Sequence, residues 1–295
     1  MLLTTKIPLG YIFRNTKKDI FFIFCVALVA VVAYRFYDIA NIPPNITGLV
    51  GTSISLVIAF KLSQSYDRWW EARKIWGAIV NDSRTLVLQL RSFTNGKEPE
   101  IVNRMAERQI AWCYALGQSL RKLAPLEGID GFLSSDELKS IGSHKNVPLG
   151  LLDFHSQDIS TLHGSKNIND YQQMQLDDTI VRLCESMGKA ERIKNTVFPT
   201  TYRLFLRWFI YIFVILLSIT LAETDGYGDI PLLLLITIPF FLLEKTAYYL
   251  QDPFENRPTD IPVTLIANTI QTNLRQLVGQ MEVSDQKAHE DFYVM

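Results

Sequence analysis

The chain has 295 residues, 48% hydrophobic and 20% charged, with a formal net charge of −1. That balance argues against the strongly basic face of a nucleic-acid binder. Three scattered cysteines, Cys25, Cys113 and Cys184, with no CxxC pair, argue against a disulfide framework and a thiolate zinc centre.

Residues 1–19 form a polar, basic lead-in with Lys6, Arg14, Lys17 and Lys18. From Ile20 the run IFFIFCVALVAVVA begins a first membrane span that continues toward Ala40, since about 20 apolar residues cross a bilayer. The long lead-in and the lack of a small-residue cleavage site argue against a signal peptide. Gly48 to Ser65, GLVGTSISLVIAFKLSQS, makes a second span, but its small and hydroxyl residues are unusual for a lipid-facing surface. The next eight residues, YDRWWEAR from Tyr66 to Arg73, suit an aromatic and basic belt where a helix leaves the bilayer.

Residues 66–203 have the composition of a soluble helical region. Trp76, Ile79, Val80, Ser83, Leu86, Val87 and Leu90 follow helical spacing, so the second span is expected to continue as an amphipathic helix. Further helices are expected over 100–123 and 170–196, with Pro125, Gly128, Gly131 and the stretch 142–150 as punctuation. Within 204–249, Trp208 to Ala222 and Ile230 to Leu243 form a third and a fourth span, joined so closely that they must be a helical hairpin. Residues 250–295 give a turn, a helix capped by Thr259 or Asp260 with Pro262 in its first turn, and a loose polar tail.

The connection TDGYGD, residues 224–229, differs by one letter from the TVGYG loop that coordinates potassium. A potassium filter needs a re-entrant loop with its own pore helix, buried in protein, and six residues between two spans leave no room for one. Gly226 and Gly228 suit an external turn instead. Lys6, Arg14, Lys17 and Lys18 precede the first span, Arg68, Arg73 and Lys74 follow the second, and Arg203 and Arg207 precede the third, whereas the connections 38–47 and 223–229 contain no lysine or arginine. The positive-inside rule then puts both termini and the middle of the chain in the cytoplasm.

No catalytic constellation is evident. His144, His155 and His163 lack the i, i+4 spacing of paired metal ligands and suit a solvated loop, and no nucleophile elbow, zincin or Walker sequence occurs. No cofactor is implied, and the chain does not read as an enzyme. The spans also lack the paired ionisable residues of a proton-coupled carrier. Glu244 and Lys245, at the inner end of the fourth span, suit interfacial anchoring. Lys61 is expected to snorkel or to pair away from any axis. Thr52, Leu56 and Phe60 lie four apart, on one slowly drifting stripe of the second span, beside Gly48, Gly51, Ser53, Ser55 and Ala59. Such a stripe repeated around an axis is a hydrophobic constriction that gates by dewetting, which requires a homo-oligomer.

The stretch from Ser55 through YDRWWEAR to Gly77, with Asp252-Pro253-Phe254 after the last span, resembles the bacterial bestrophins over nearly the whole chain. The resemblance implies an all-α membrane protein: a homopentamer with four transmembrane helices per subunit and a helical cytoplasmic region around a central pore, in a bacterial inner membrane. It puts the family's neck on Thr52, Leu56 and Phe60. Thr52 departs from the bulky apolar residue usual there, so the outer ring is expected to be wider and wetter. Counting back from Pro199 of FPTTY puts a cytoplasmic aperture at Tyr171, with Gln175 as the alternative. Eukaryotic relatives clasp calcium with an acidic run where this chain reads DPFENRPTD. Asp252, Glu255 and Asp260 are the oxygen ligands left, fewer than the six to eight calcium takes, so a structural turn and helix cap is the plainer reading.

The external connections carry only acids, Asp38, Glu223, Asp225 and Asp229. Five copies around a mouth would enrich cations, so monovalent cations are expected ahead of chloride. The alternatives are a chloride channel of the same architecture, a secondary transporter, and a membrane-anchored helical scaffold.

Overall fold

The computed structural model describes residues 9–36, 42–196, 199–222 and 229–280. These residues fold into helices without a strand, in two compact units. In one unit α1 (Leu9–Phe36) packs on α7 (Thr200–Ala222) and α8 (Asp229–Gln251), which also pack on each other, joined by the first part of α2 (Pro44–Thr94). Ile23 and Ala27 of α1, Ile54 and Ile58 of α2, Ile210, Phe213 and Val214 of α7, and Leu233 and Phe241 of α8 form its core. Gly51 lets α2 approach α7: a Cβ there would stand 2.9 Å from the Phe213 ring. Three of the described helices, α2, α7 and α8, contain stretches long and apolar enough to cross a membrane.

The second unit contains the rest of α2 with α3 (Pro99–Leu120), α4 (Ser135–Ile141), α5 (Val147–Gly164), α6 (Asp170–Asn195) and α9 (Val263–Leu277). The expected amphipathic continuation forms: Trp76, Ile79, Leu86, Val87 and Leu90 are all buried. The helices expected near 100–123 and 170–196 form as α3 and α6, started by Pro99 in the first turn and by an Asn169–Gln172 capping box. Against α3, α9 packs closely at Gly117, where a Cβ would lie 3.2 Å from Val263.

Three expectations need correction here. Residues 142–150 do not merely punctuate, because α4 ends at Ile141 and α5 starts at Val147 on an Asn146 cap. Gly150 lies inside α5, and a Cβ there would come within 2.5 Å of Ile141 and 2.8 Å of His144. His155 is not a solvated loop residue; it is fully buried in α5. Finally, Asp260 caps no helix: α9 begins after Pro262 without a side-chain cap, and Asp260 accepts from the backbone N–H groups of Glu255 and Arg257 at 2.6 and 3.1 Å.

A charged network ties α3, α4 and α5. Arg108, buried on α3, donates to Glu137 of α4 and, at 2.8 Å, to Asp158 of α5, while its guanidinium stands 5.7 Å from the Phe154 ring centre. His155 sits in this neighbourhood with both ring nitrogens buried and no hydrogen-bond partner among the described residues. Burial, with the positive charge of Arg108 added, holds its pKa well below 6.5. Burial alone would raise the Glu137 carboxyl, but the Ser134 N–H and Arg108 hold it below 4.5. Both pKa values are lower in the folded chain than in the unfolded one, so their contributions are complete above the unfolded values and are lost on acidification. The thermal midpoint of the chain in detergent is therefore expected to fall as pH drops below about 6.5. His155→Leu should delay that fall toward pH 4.5, where Glu137 takes over; an unchanged pH profile in the variant would contradict the assignment.

Candidate functional site

Within the first unit the opening turns of α2 have two unlike faces. Thr47, Gly51, Ile54, Ile58, Lys61 and Ser65, spaced by alternating threes and fours, are buried. Opposite them Leu49 is 68% exposed, Leu56 59% and Phe60 58%, with Thr52 exposed between. Thr52, Leu56 and Phe60 thus lie together on the face of α2 that the rest of the chain leaves uncovered. Its hydroxyls are internally satisfied: Thr52 donates to Gly48 O, Ser53 to Leu49 O and Ser55 to Gly51 O, each at 2.9 Å. Such bonding to the preceding turn keeps a polar side chain quiet on an apolar helix.

Behind Phe60, Lys61 is fully buried, its Nζ 3.7 Å from Glu244 Oε1. Arg203 Nε approaches the same oxygen at 3.7 Å. Lys61 therefore pairs away from the exposed face, one of its two expected fates. Glu244 is not an interfacial anchor but a 6% exposed carboxylate shared by two cations. Sequence reasoning missed this pair. The signal was a lysine inside an apolar helix, which demands a partner. On α7 and α1, Arg207 donates to Asp19 at 3.0 Å and to the Tyr211 hydroxyl at 3.0 Å.

Two of the motif residues come together, since Asp252 acts electrostatically on Arg68. The acidic candidates for a metal do not assemble. Asp260 is spent on its turn, Glu255 pairs with Lys194 at 2.7 Å, and Asp252 accepts from Gln251 at 3.4 Å. Among the described residues no three His, Cys, Asp or Glu side chains gather as a metal site. Of the acids expected at an external mouth, Asp38, Glu223 and Asp225 lie outside the described residues, and Asp229 is described only as the start of α8.

In the second unit Tyr171, at the start of α6, is 79% exposed, and Gln175 one turn on is exposed as well. Met174, 68% exposed between them, belongs to the same face and was not anticipated.

A long helix with one apolar face left bare, backed by a buried ion pair among helices long and apolar enough to cross a bilayer, is the architecture of a membrane protein. Residues 2–276 match the profile of the Bacterial/Fungal Bestrophin proteins, and the chain belongs to that family, whose members are ion channels and not enzymes. Among curated relatives, the voltage-dependent anion channel-forming protein alr2987 of Nostoc sp. is 27% identical over 87% of this chain and 86% of its own. The voltage-dependent anion channel-forming protein YneE of Escherichia coli O157:H7 is 26% identical over 80% of this chain and 77% of its own. Among solved structures, a bacterial bestrophin homolog from Klebsiella pneumoniae superposes with a TM-score of 0.85 at 26% identity, covering 89% of this chain and 98% of that one.

Removing one member of a buried ion pair strands the other charge, at a cost of about 3 kcal/mol or more. Lys61→Ala is expected to lower stability by about that amount in detergent unfolding, and Ser63→Ala, on an exposed neighbour, by less than about 0.5 kcal/mol. Equal effects would contradict the pairing of Lys61 with Glu244.

Proposed function

We propose that this chain is a subunit of a passive ion channel: five copies surround a pore, and the Thr52, Leu56 and Phe60 faces of their α2 helices form its neck. The observation behind this reading is the sidedness of α2, which buries small and apolar residues against α7 and leaves Leu56 and Phe60 59% and 58% exposed. An apolar ring of this kind gates by excluding water until it widens. With its hydroxyl bonded to Gly48 O, Thr52 makes a narrower polar break in the stripe than its composition suggests. Tyr171, with Gln175 as the alternative, is the proposed second narrowing, in the other unit. In this reading α1, α2, α7 and α8 span a bacterial inner membrane with both termini cytoplasmic. Residues 20–65 and 204–249 supply the spans, 66–203 the cytoplasmic region and 250–295 the C-terminal turn, helix and tail.

For the permeant ion, the names of the curated relatives favour small anions. The rival reading, monovalent cations, rests on the acids of the external connections in the sequence. Lys61 supports neither, being buried beside Glu244. The chain reconstituted in planar bilayers should give ohmic single-channel currents, and Leu56→Ala and Phe60→Ala should each increase the unitary conductance. Reversal potentials in asymmetric NaCl should follow chloride for an anion channel and sodium for a cation channel. Unchanged conductance in both variants would remove the neck, and saturable flux driven by a second solute gradient would indicate a transporter instead.

A further inference from the structure

We propose that a cluster of charged side chains contributed by α1, α2, the start of α7 and the last turns of α8 forms a binding site for the phosphate of an anionic glycerophospholipid; this rests on the reading that these helices span a bilayer. Four cations, Lys61, Arg203, Arg207 and Lys245, share two carboxylates, Asp19 and Glu244. Lys61 and Arg203 both stand 3.7 Å from Glu244, and Arg207 binds Asp19 at 3.0 Å. Lys245 lies within electrostatic reach of Asp19, Glu244, Arg203 and Arg207. The cluster is left with two positive charges in excess. Residues 1–18, which precede Asp19, hold no carboxylate to balance them, and Lys17 and Lys18 are exposed.

The layering of the cluster gives it a direction. The carboxylates are sealed, with side chains 9% and 6% exposed, and Lys61 is closed off completely, whereas Arg203 and Arg207 are 37% and 39% exposed. The excess charge therefore sits at the opening. Aromatic rings fix both guanidiniums: Arg203 lies 3.6 Å from the Tyr248 ring centre, and Arg207 Nε donates to Tyr211. Among the described residues, both Nη atoms of Arg203 and Nη1 of Arg207 are left without an acceptor. Preset guanidinium edges match the oxygens of a phosphate diester better than a mobile lysine does. Beside the two arginines on α7, Leu204 and Trp208 are 60% and 59% exposed. That apolar flank has no use for a free anion, but it would cover the first carbons of an acyl chain.

The test uses the full-length protein, purified in detergent and stripped of lipid, with its thermal midpoint read by tryptophan fluorescence. Phosphatidylglycerol should raise the midpoint, and phosphatidylcholine and inorganic phosphate should not. Lys245→Gln and Arg203→Gln should each raise the phosphatidylglycerol concentration needed about tenfold, as expected for the loss of one charge-assisted contact, and Lys17→Gln/Lys18→Gln should leave it unchanged. If Arg203→Gln fails to fold for want of a partner to Glu244, Lys245→Gln decides. The proposal is overturned if phosphatidylcholine serves equally well, if inorganic phosphate alone reproduces the effect, or if the Lys17/Lys18 variant weakens binding as much as Lys245→Gln, which would mean diffuse attraction. Because the readout is binding, silence in current recordings alongside intact lipid dependence would count against the channel and leave this site standing.

Discussion

A helix crossing a bilayer satisfies its own backbone, so its side chains alone decide what each face meets. In α2 that decision is divided between two opposite faces. Thr47, Gly51, Ile54, Ile58, Lys61 and Ser65 turn inward, and fixing that face leaves Thr52, Leu56 and Phe60 no direction but outward. Gly51 permits the close approach to Phe213 that sets the rotation, and the Lys61–Glu244 pair holds it at the residue after Phe60. A rotation bringing Phe60 inward would carry a lysine toward the opposite surface and strand a buried carboxylate. The bare stripe is thus the counterpart of an interaction on the far side of the same helix.

The same helix, 51 residues long in all, continues into the second unit, where Trp76, Ile79, Leu86 and Leu90 become core. One unbroken element therefore supplies the exposed stripe in one unit and core residues in the other. The second unit has its own polar centre, the Arg108 network with Glu137 and Asp158, set beside a neutral His155. Such a buried network favours one arrangement of α3, α4 and α5 only while its charges stay balanced.

The sequence revealed strongly periodic elements best. The amphipathic run from Trp76 to Leu90, and α3 and α6 with their starting signals, could be read directly, as could the stripe, because spacing by fours needs only helical geometry. Gly142, Ser143, His144 and Gly150 have the composition of a loop, which hides the α4–α5 junction; Gly150 is instead the small residue that lets α5 pass Ile141. The neighbours of His155 in sequence suggest a solvated loop, but Leu151, Leu152, Ile159 and Leu162 mark a buried helix face that includes it. Asp260 looked like a cap from its position before Pro262, but a carboxylate can also close the turn that precedes a helix. The Glu244 pairing joins residues more than 180 positions apart, and only folding brings them together.

The central claim is that the uncovered face of α2 meets water at an axis and not lipid. Single cysteines at Leu56 and Phe60, compared with one at the lipid-facing candidate Phe209, test this directly when a charged, membrane-impermeant thiol reagent is added during current recording. Progressive block at positions 56 and 60 with no effect at 209 is the predicted result. Silence at 56 and 60, with labelling only by a lipid-soluble reagent, would turn the stripe toward the bilayer and contradict the account.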